Sequence, residues 1–530
     1  MAITPETMLN RLLMLAKTRA ETADPAVLQK TFVPIKPLLA MLSRPEHQVL
    51  YGRRGTGKTH LLIYLAQTIR QEGHLAIYLD MRTIGSSAGL YGDTTESLSL
   101  RATNLLVDVI QSLHHAILQA VIDDERYVDR LEEMSKGLDL LGEAATAVRV
   151  VGSVEEEITV GDTQDRQRDV SAVVGLSQRP NVRLSGSKRT TVSHKDERRR
   201  RQAGVEQAHL LIGPLAAAVK RISEACRPHQ LWLFLDEWSN VPLELQPILA
   251  DLIRRTFLVT PNVVVKFGAL ERRSRFYSPG LQGDYVGIEP GADSSASLDL
   301  DEFLLFDDDQ VRMNEFFANL LYRHMSEAAV GRVAWTEMDS AEAFVYRAFV
   351  TPRPFEELVH AAASVPRDII QVAGLAALIA DKESISTRHV HAAARQYFLK
   401  DKLGKASVQA SDLLSLVIDR CVNQSTRVLP VTRSGELNDP RIQELYDLRL
   451  IHRVRQAVAL DKANYSRKFD IYVVDFGCFI DLIANGRVRA AKDGSPPRSA
   501  RLIVDYNTAL RRRSFVFLNL TSVEQGECGG

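Results

Sequence analysis

The chain has 530 residues, 45% of them apolar and 25% charged, the composition of an ordinary globular protein with room for roughly two to four domains. Basic and acidic residues both number 66, so net charge points neither to nucleic acid nor to a membrane, and any electrostatic footprint must be local. Cys226, Cys421, Cys478 and Cys528 lack metal-ligand spacing and read as reduced residues of a cytoplasmic protein, and no run of 18 apolar residues predicts a membrane span.

The first residues predict an amphipathic, charged helix over Pro5–Ala20, with Thr4 as N-cap and Pro5 at the first helical position, rather than an apolar leader. The segment Thr31-Phe32-Val33-Pro34-Ile35-Lys36-Pro37 is held extended by its prolines and feeds a short helix at Leu38–Leu42. Next comes the stretch on which the chain turns. Gln48–Tyr51 reads as a short strand, and Gly52-Arg53-Arg54-Gly55-Thr56-Gly57-Lys58-Thr59 matches the phosphate-binding pattern G-x-x-x-x-G-K-[ST] in full. His60 opens the helix that follows. Strand, glycine turn and helix start is the context in which successive backbone N–H groups wrap a β-phosphate at the positive end of a helix. In that geometry Lys58 reaches the β- and γ-phosphates and the Thr59 hydroxyl ligates Mg²⁺.

A second buried strand runs over Gly73–Asp80, with Arg82 just beyond its end, and Leu98–Ile122 is a long helical pattern. From about residue 137 to 204 alternating segments predict a β-ribbon insertion, which ends in Arg198-Arg199-Arg200-Arg201. That run is either a solvated helix start or a contact for nucleic acid phosphates or an acidic partner. Val205–Cys226 then reads as a helix. The apolar run Leu231–Leu235 ends in Asp236 and Glu237, the Walker B form, in which Asp236 holds Mg²⁺ through water and Glu237 polarises the attacking water.

The helix Pro247–Leu258 and the strand Asn262–Ala269 follow. Arg254, Arg255, Arg272, Arg273 and Arg275 in this region are candidates for a finger reaching a neighbouring subunit. Between Arg275 and Arg312 there is no Lys, Arg or His against nine acids, which is either a solvated stretch or a docking surface for another subunit's arginines. Residues 311–403 are helical, with Arg367 in the first turn of a helix opened by Val365-Pro366 and with Ser386 as an N-cap. Helix, short strand, helix and hairpin over 408–484 predict a winged helix. Its last helix carries Arg441 and Arg449, and its wing Arg453, Arg455, Arg467 and Lys468. A basic tail follows from Gly486.

The order of these parts resembles that of AAA+ ATPases of the origin-recognition and initiator type over about residues 30–485. The resemblance implies an α/β fold: a P-loop AAA+ parallel-sheet core with a β-rich insertion, an all-α lid and a C-terminal winged-helix domain. The corresponding boundaries are an N-terminal helical segment 1–45, a core 46–309, a lid 310–405, a winged helix 406–485 and a tail 486–530. It further implies ATP and Mg²⁺ as ligands, Gly52–Thr59 and His60 around the phosphates, and Phe32 and Val33 on the adenine side. Asp236 and Glu237 become the metal-linked and catalytic acids, and Arg367 the sensor-2 arginine. A homo-oligomer and double-stranded DNA are the implied partners, or a protein effector in place of DNA. The long spacing between Lys58 and Asp236 is also similar to bacterial initiator-like ATPases associated with mobile elements and phage defence. The strand ending Lys266-Phe267-Gly268-Ala269 departs from the family pattern in lacking an Asn or Thr sensor.

Overall fold

A computed structural model describes residues 5–17, 24–85, 98–145, 148–158, 172–174, 198–208, 211–280, 285–295, 297–304, 309–330, 338–424, 426–433, 436–460, 468–487 and 515–518. It divides into two compact units. One comprises Ala40–Tyr51 and Leu65–Leu298; the other comprises Met1–Leu39, Gly52–Tyr64 and Asp299–Gly530. The phosphate loop therefore groups with the C-terminal half of the chain rather than with a continuous 46–309 core.

The first unit is built on a parallel sheet. Strands β1 (Gln48–Tyr51), β2 (Leu75–Asp80), β6 (Leu231–Asp236) and β7 (Val263–Ala269) run in the order β1-β7-β6-β2, and β10 (Leu298–Asp299) lies outside β1. The neighbouring pairs are parallel, and Asp80 stands opposite Asp236. β6 and β7 are buried at every position, as near-continuous apolar runs in a sheet covered on both faces must be. The helix Leu98–Ile122, whose bounds agree with the sequence pattern, contributes Leu105, Leu106, Val109, Ile110, Leu113, Ile117 and Val121 to this core. Over Leu100–Ile122 its mean hydropathy of 1.5 suits a membrane span by length and composition. The same helix buries one face in the core of the sheet, so this average does not overturn the expectation of no span.

The insertion begins later than expected. Gly137 lies within the helix Leu131–Ala145, where a Cβ would come within 2.7 Å of Ile222, so this glycine permits close approach to the helix Ile212–Ala225. A three-stranded antiparallel ribbon follows, with β3 (Val148–Ile158) between β4 (Ala172–Val174) and β5 (Arg198–Ala208). Arg198–Arg201 thus opens a strand, not a helix, and the register sets Glu155, Glu156 and Glu157 opposite Arg201, Arg200 and Arg199. The strand expected at Val182–Gly186 lies outside the described residues.

In the second unit the helices Pro5–Leu15, Gln310–Ala328, Ala341–Ala348, Pro352–Ala362, Pro366–Ala380 and Thr387–Tyr397 share one core, centred on Phe317, Phe344, Leu358, Ile369 and Val390. A second core holds the helices Val408–Gln424, Pro440–Asp447 and Phe476–Ala484 against an antiparallel sheet in the order β11-β13-β12. Its strands are β11 (Val428–Thr432), β12 (Ile451–Ala459) and β13 (Lys468–Val474). Sequence pattern missed the helices Pro25–Thr31, Leu131–Ala145 and Phe476–Ala484. In the last of these Asp475 caps the helix, just beyond the end of the strand Lys468–Val474.

Candidate functional site

The loop leaves β1 at Gly52 and enters the helix Lys58–Gln71. Gly55 and Gly57 adopt φ of +89° and +100°, a region that side chains other than glycine rarely enter. A Cβ on Gly57 would meet nothing within 4 Å, whereas one on Gly55 would lie 2.8 Å from the Cβ of Arg367. At that junction the Arg367 backbone N–H donates to the Gly55 carbonyl at 3.1 Å. Arg367 stands in the first turn of Pro366–Ala380, where proline at the first position sets the helix start. Its Nε is buried and has no hydrogen-bond partner among the described residues.

Lys58 is folded onto the loop. Its Nζ donates to the carbonyls of Gly52 and Arg53 at 2.8 and 3.1 Å. The Thr56 hydroxyl donates to the Arg53 carbonyl at 2.8 Å, and Thr59 is buried at the helix start. Arg53 differs from what the motif predicts. Its backbone N–H donates to Asp301 Oδ2 at 2.7 Å and its Nε to Oδ1 at 2.8 Å, so neither faces a phosphate. Arg54 is exposed, and its carbonyl accepts from Arg449 at 3.4 Å.

Beside the loop lies a groove lined by Phe32, Val33, His60, Thr56, Gly57 and Phe316 among others. Phe32 stacks on Tyr64 at 4.1 Å and meets His60 edge-on at 5.2 Å. His60 Nε2 pairs with the Leu28 carbonyl at 2.7 Å, and burial lowers its pKa. The sequence-predicted Phe32, Val33 and His60 are thus gathered next to the glycine loop. Leu300, Leu304, Leu320 and Pro366 also line it; they come from distant segments and carry no motif.

In the other unit Asp236 is fully buried at the carboxyl end of β6. Its Oδ1 accepts from the Glu237 N–H at 2.8 Å and its Oδ2 from the Tyr78 hydroxyl at 2.9 Å. Burial, then the charge of Asp236, pushes the Tyr78 phenol well above its ordinary range, so it remains a donor. Tyr78 was not singled out from sequence; its register beside Asp236 becomes visible only once β2 pairs with β6. Glu237 takes a left-handed φ of 56°, and its Oε2 accepts from the Asn240 amide at 2.9 Å. An Asp carboxylate and a Thr hydroxyl are hard oxygen donors of the kind Mg²⁺ selects, so Asp236 and Thr59 each fit that ion in chemistry.

Lys266, at the strand expected to carry a sensor, is buried. It donates to the carbonyls of Arg44 and Glu46 at 2.8 Å and to Gln48 Oε1 at 2.5 Å, which are structural contacts. Of the finger candidates, Arg254 and Arg255 both pair with Asp251, at 2.7 and 2.6 Å, whereas Arg275 is exposed with no carboxylate partner among the described residues. The acid-rich stretch also resolves in part: Asp301 and Asp299 engage Arg53 and Arg453 of the same chain, not another subunit's arginines. Arg449, expected on the last helix of the winged helix, lies just past its end and pairs with Asp368, and Arg453, expected on the wing, pairs with Asp299.

The ORC-CDC6-like family model matches residues 14–276. Among solved structures, a distant likeness is found to the Aeropyrum pernix ORC1 protein in complex with DNA, 13% identical, covering 87% of this chain and 97% of that one with a TM-score of 0.31. No curated protein matches the sequence. The matched residues, just under half of the chain, carry both the complete phosphate loop and the strand-end acid pair, so residues 14–276 are similar to the ORC-CDC6-like family.

Proposed function

We propose that the protein is an ATP-binding and ATP-hydrolysing switch that couples nucleotide state to DNA binding and to assembly with further copies of itself. The observation that carries this reading is the junction of Gly55 and Arg367: a loop glycine with no room for a Cβ, against an arginine whose buried Nε has no partner. A γ-phosphate is the acceptor that such a group suits. Phe32, Val33 and His60 hold the base, and the loop amides of Gly55, Thr56, Gly57 and Lys58 hold the phosphates. Thr59 and Asp236 are each proposed as residues that would hold Mg²⁺, an ion that would supply neutralisation of phosphate charge. Tyr78 holds Asp236 in place, and Glu237 orients and deprotonates water. Arg272, Arg273 and Arg275 stay candidates for a finger into a neighbouring subunit beside the Asp251-paired Arg254 and Arg255.

DNA as the partner is supported by the similarity to the ORC-CDC6-like family and by the strand, helix and hairpin order of residues 428–474. A second reading, in which that region binds a protein effector, as in a signalling or defence assembly, is favoured by the pairing of Arg449 and Arg453 with Asp368 and Asp299 and the pairing of Arg441 with Asp439 at 2.7 Å. The test has two parts. Lys58→Ala should lose nucleotide binding, and Glu237→Gln should bind ATP normally with turnover reduced about 10²-fold or more; equal turnover in Glu237→Gln and wild type removes Glu237 from its role. Retention of duplex DNA should weaken steeply with salt if phosphates are contacted. No retention even at low salt rejects the DNA reading in favour of the protein one.

A further inference from the structure

The phosphate loop is tied to the C-terminal region by a closed ring of buried charge. Arg53 Nη1 lies 3.0 Å from His452 Nδ1, and His452 Nε2 lies 3.0 Å from Asp475 Oδ2. Lys402 Nζ bridges Asp475 at 2.6 Å and Asp368 at 3.0 Å. Asp368 accepts from Arg449 Nε at 3.1 Å, and Arg449 Nη1 returns to the loop at the Arg54 carbonyl, 3.4 Å away. Arg53, Lys402, Asp368, Asp475 and His452 are each no more than 4% exposed. The ring and its Asp301 branch hold the cations Arg53, Lys402 and Arg449 against the carboxylates Asp301, Asp368 and Asp475, with the buried Arg427 beside Asp475 and the Arg453–Asp299 pair beside Asp301.

The chemistry of the partners settles the state of His452. Nδ1 faces a guanidinium, which only donates, so Nδ1 accepts; Nε2–H then donates to Asp475. Burial agrees by lowering the His452 pKa to about 4. His452 is therefore a neutral, directional link between two charged groups. Asp368 directly follows Arg367, the residue that abuts Gly55, so the ring grips the phosphate loop at Arg53 and Arg54 and also the helix turn that carries Arg367. A ring of hydrogen-bonded charges has discrete lengths and angles, so a shift at one member must be met by the others.

We propose that His452 and Arg449 are positioning residues for the nucleotide site, and that the ring transmits nucleotide occupancy at the phosphate loop to the segment Arg449–Arg455. This rests on the reading of the loop as a nucleotide site.

The test is amide hydrogen exchange of residues 449–455 in the full chain, with and without ADP, alongside the affinity for a fluorescent ADP analogue. In wild type, ADP should slow exchange there by about 5–150-fold, the span of ordinary coupling energies. His452→Phe opens the ring without changing its charge, and should abolish that protection. Because coupling is reciprocal, ADP affinity should fall by the same factor. Arg449→Gln opens the ring at the other end and serves if His452→Phe does not fold. Arg395→Gln, which removes a 2.8 Å pair with Asp481 away from the ring, should leave the protection intact. Protection retained in a folded ring variant, or absent in a wild type that binds ADP, overturns the proposal. A wild type that binds no nucleotide overturns the site reading instead.

Discussion

Replacing Gly55 by alanine isolates the contact on which the proposed site depends, because Gly57 supplies its own control. Both residues have φ near +90°, so alanine at either costs about 1–3 kcal/mol of backbone strain. Only Gly55 has a neighbour: the added Cβ would be 2.8 Å from Arg367 Cβ and 3.3 Å from Val365 Cγ1. Carbon atoms prefer about 3.5–4.0 Å, and overpacking of this kind costs about 1–3 kcal/mol more. Gly55→Ala should therefore destabilise by about 2–6 kcal/mol, and Gly57→Ala by about 1–3 kcal/mol. Denaturant unfolding of both variants measures the difference. The clash involves the arginine Cβ, so Arg367→Ala leaves it in place and Arg367→Gly removes it. A double-mutant cycle of Gly55→Ala with Arg367→Gly should recover about 1–3 kcal/mol. Equal costs at Gly55 and Gly57, with no recovery in the cycle, would refute the junction and with it the placing of Arg367 against the loop.

Arg367→Ala should retain nucleotide but lower turnover by about 10²–10³-fold, the usual loss for one donor aimed at developing charge, in a steady-state phosphate-release assay. Tyr78→Phe removes one hydrogen bond from a fully buried carboxylate and should cost about 1–3 kcal/mol in unfolding measurements, with a weaker dependence of turnover on added Mg²⁺. His452 gives a pH signature. Its folded pKa, about 4, lies below the ordinary 6.5, so the folded protein stays neutral there while the unfolded chain takes up a proton. Its contribution is complete above pH 6.5 and is lost as pH falls toward 4, by about 3 kcal/mol at 1.36 kcal/mol per pH unit. Thermal unfolding across that window should show a shallower decline in His452→Gln than in wild type.

The sequence by itself determined the parts that depend on neighbours along the chain. The G-x-x-x-x-G-K-[ST] spacing placed Gly55, Gly57, Lys58 and Thr59, and the apolar run ending in Asp236 and Glu237 located a central parallel strand. Proline at helix position one marked the starts at Pro366 and Pro440. These signals are local because a turn, a helix start and a buried strand each need particular residue types at fixed offsets.

Only the tertiary structure decided which polar groups meet. Arg53 reads as a loop residue near phosphate but is held by Asp301, 248 positions away, and Arg449 and Arg453 read only as basic residues of a helix and a wing but meet Asp368 and Asp299. Tyr78 reads as an apolar strand residue but anchors Asp236. A buried charge must find an opposite charge or pay a large desolvation cost, and that constraint acts across space with no period or spacing in sequence to betray it. Periodicity could therefore reveal the loop, the sheet and the helices, whereas the ring that binds the loop to residues 449–475 emerged only from the folded chain.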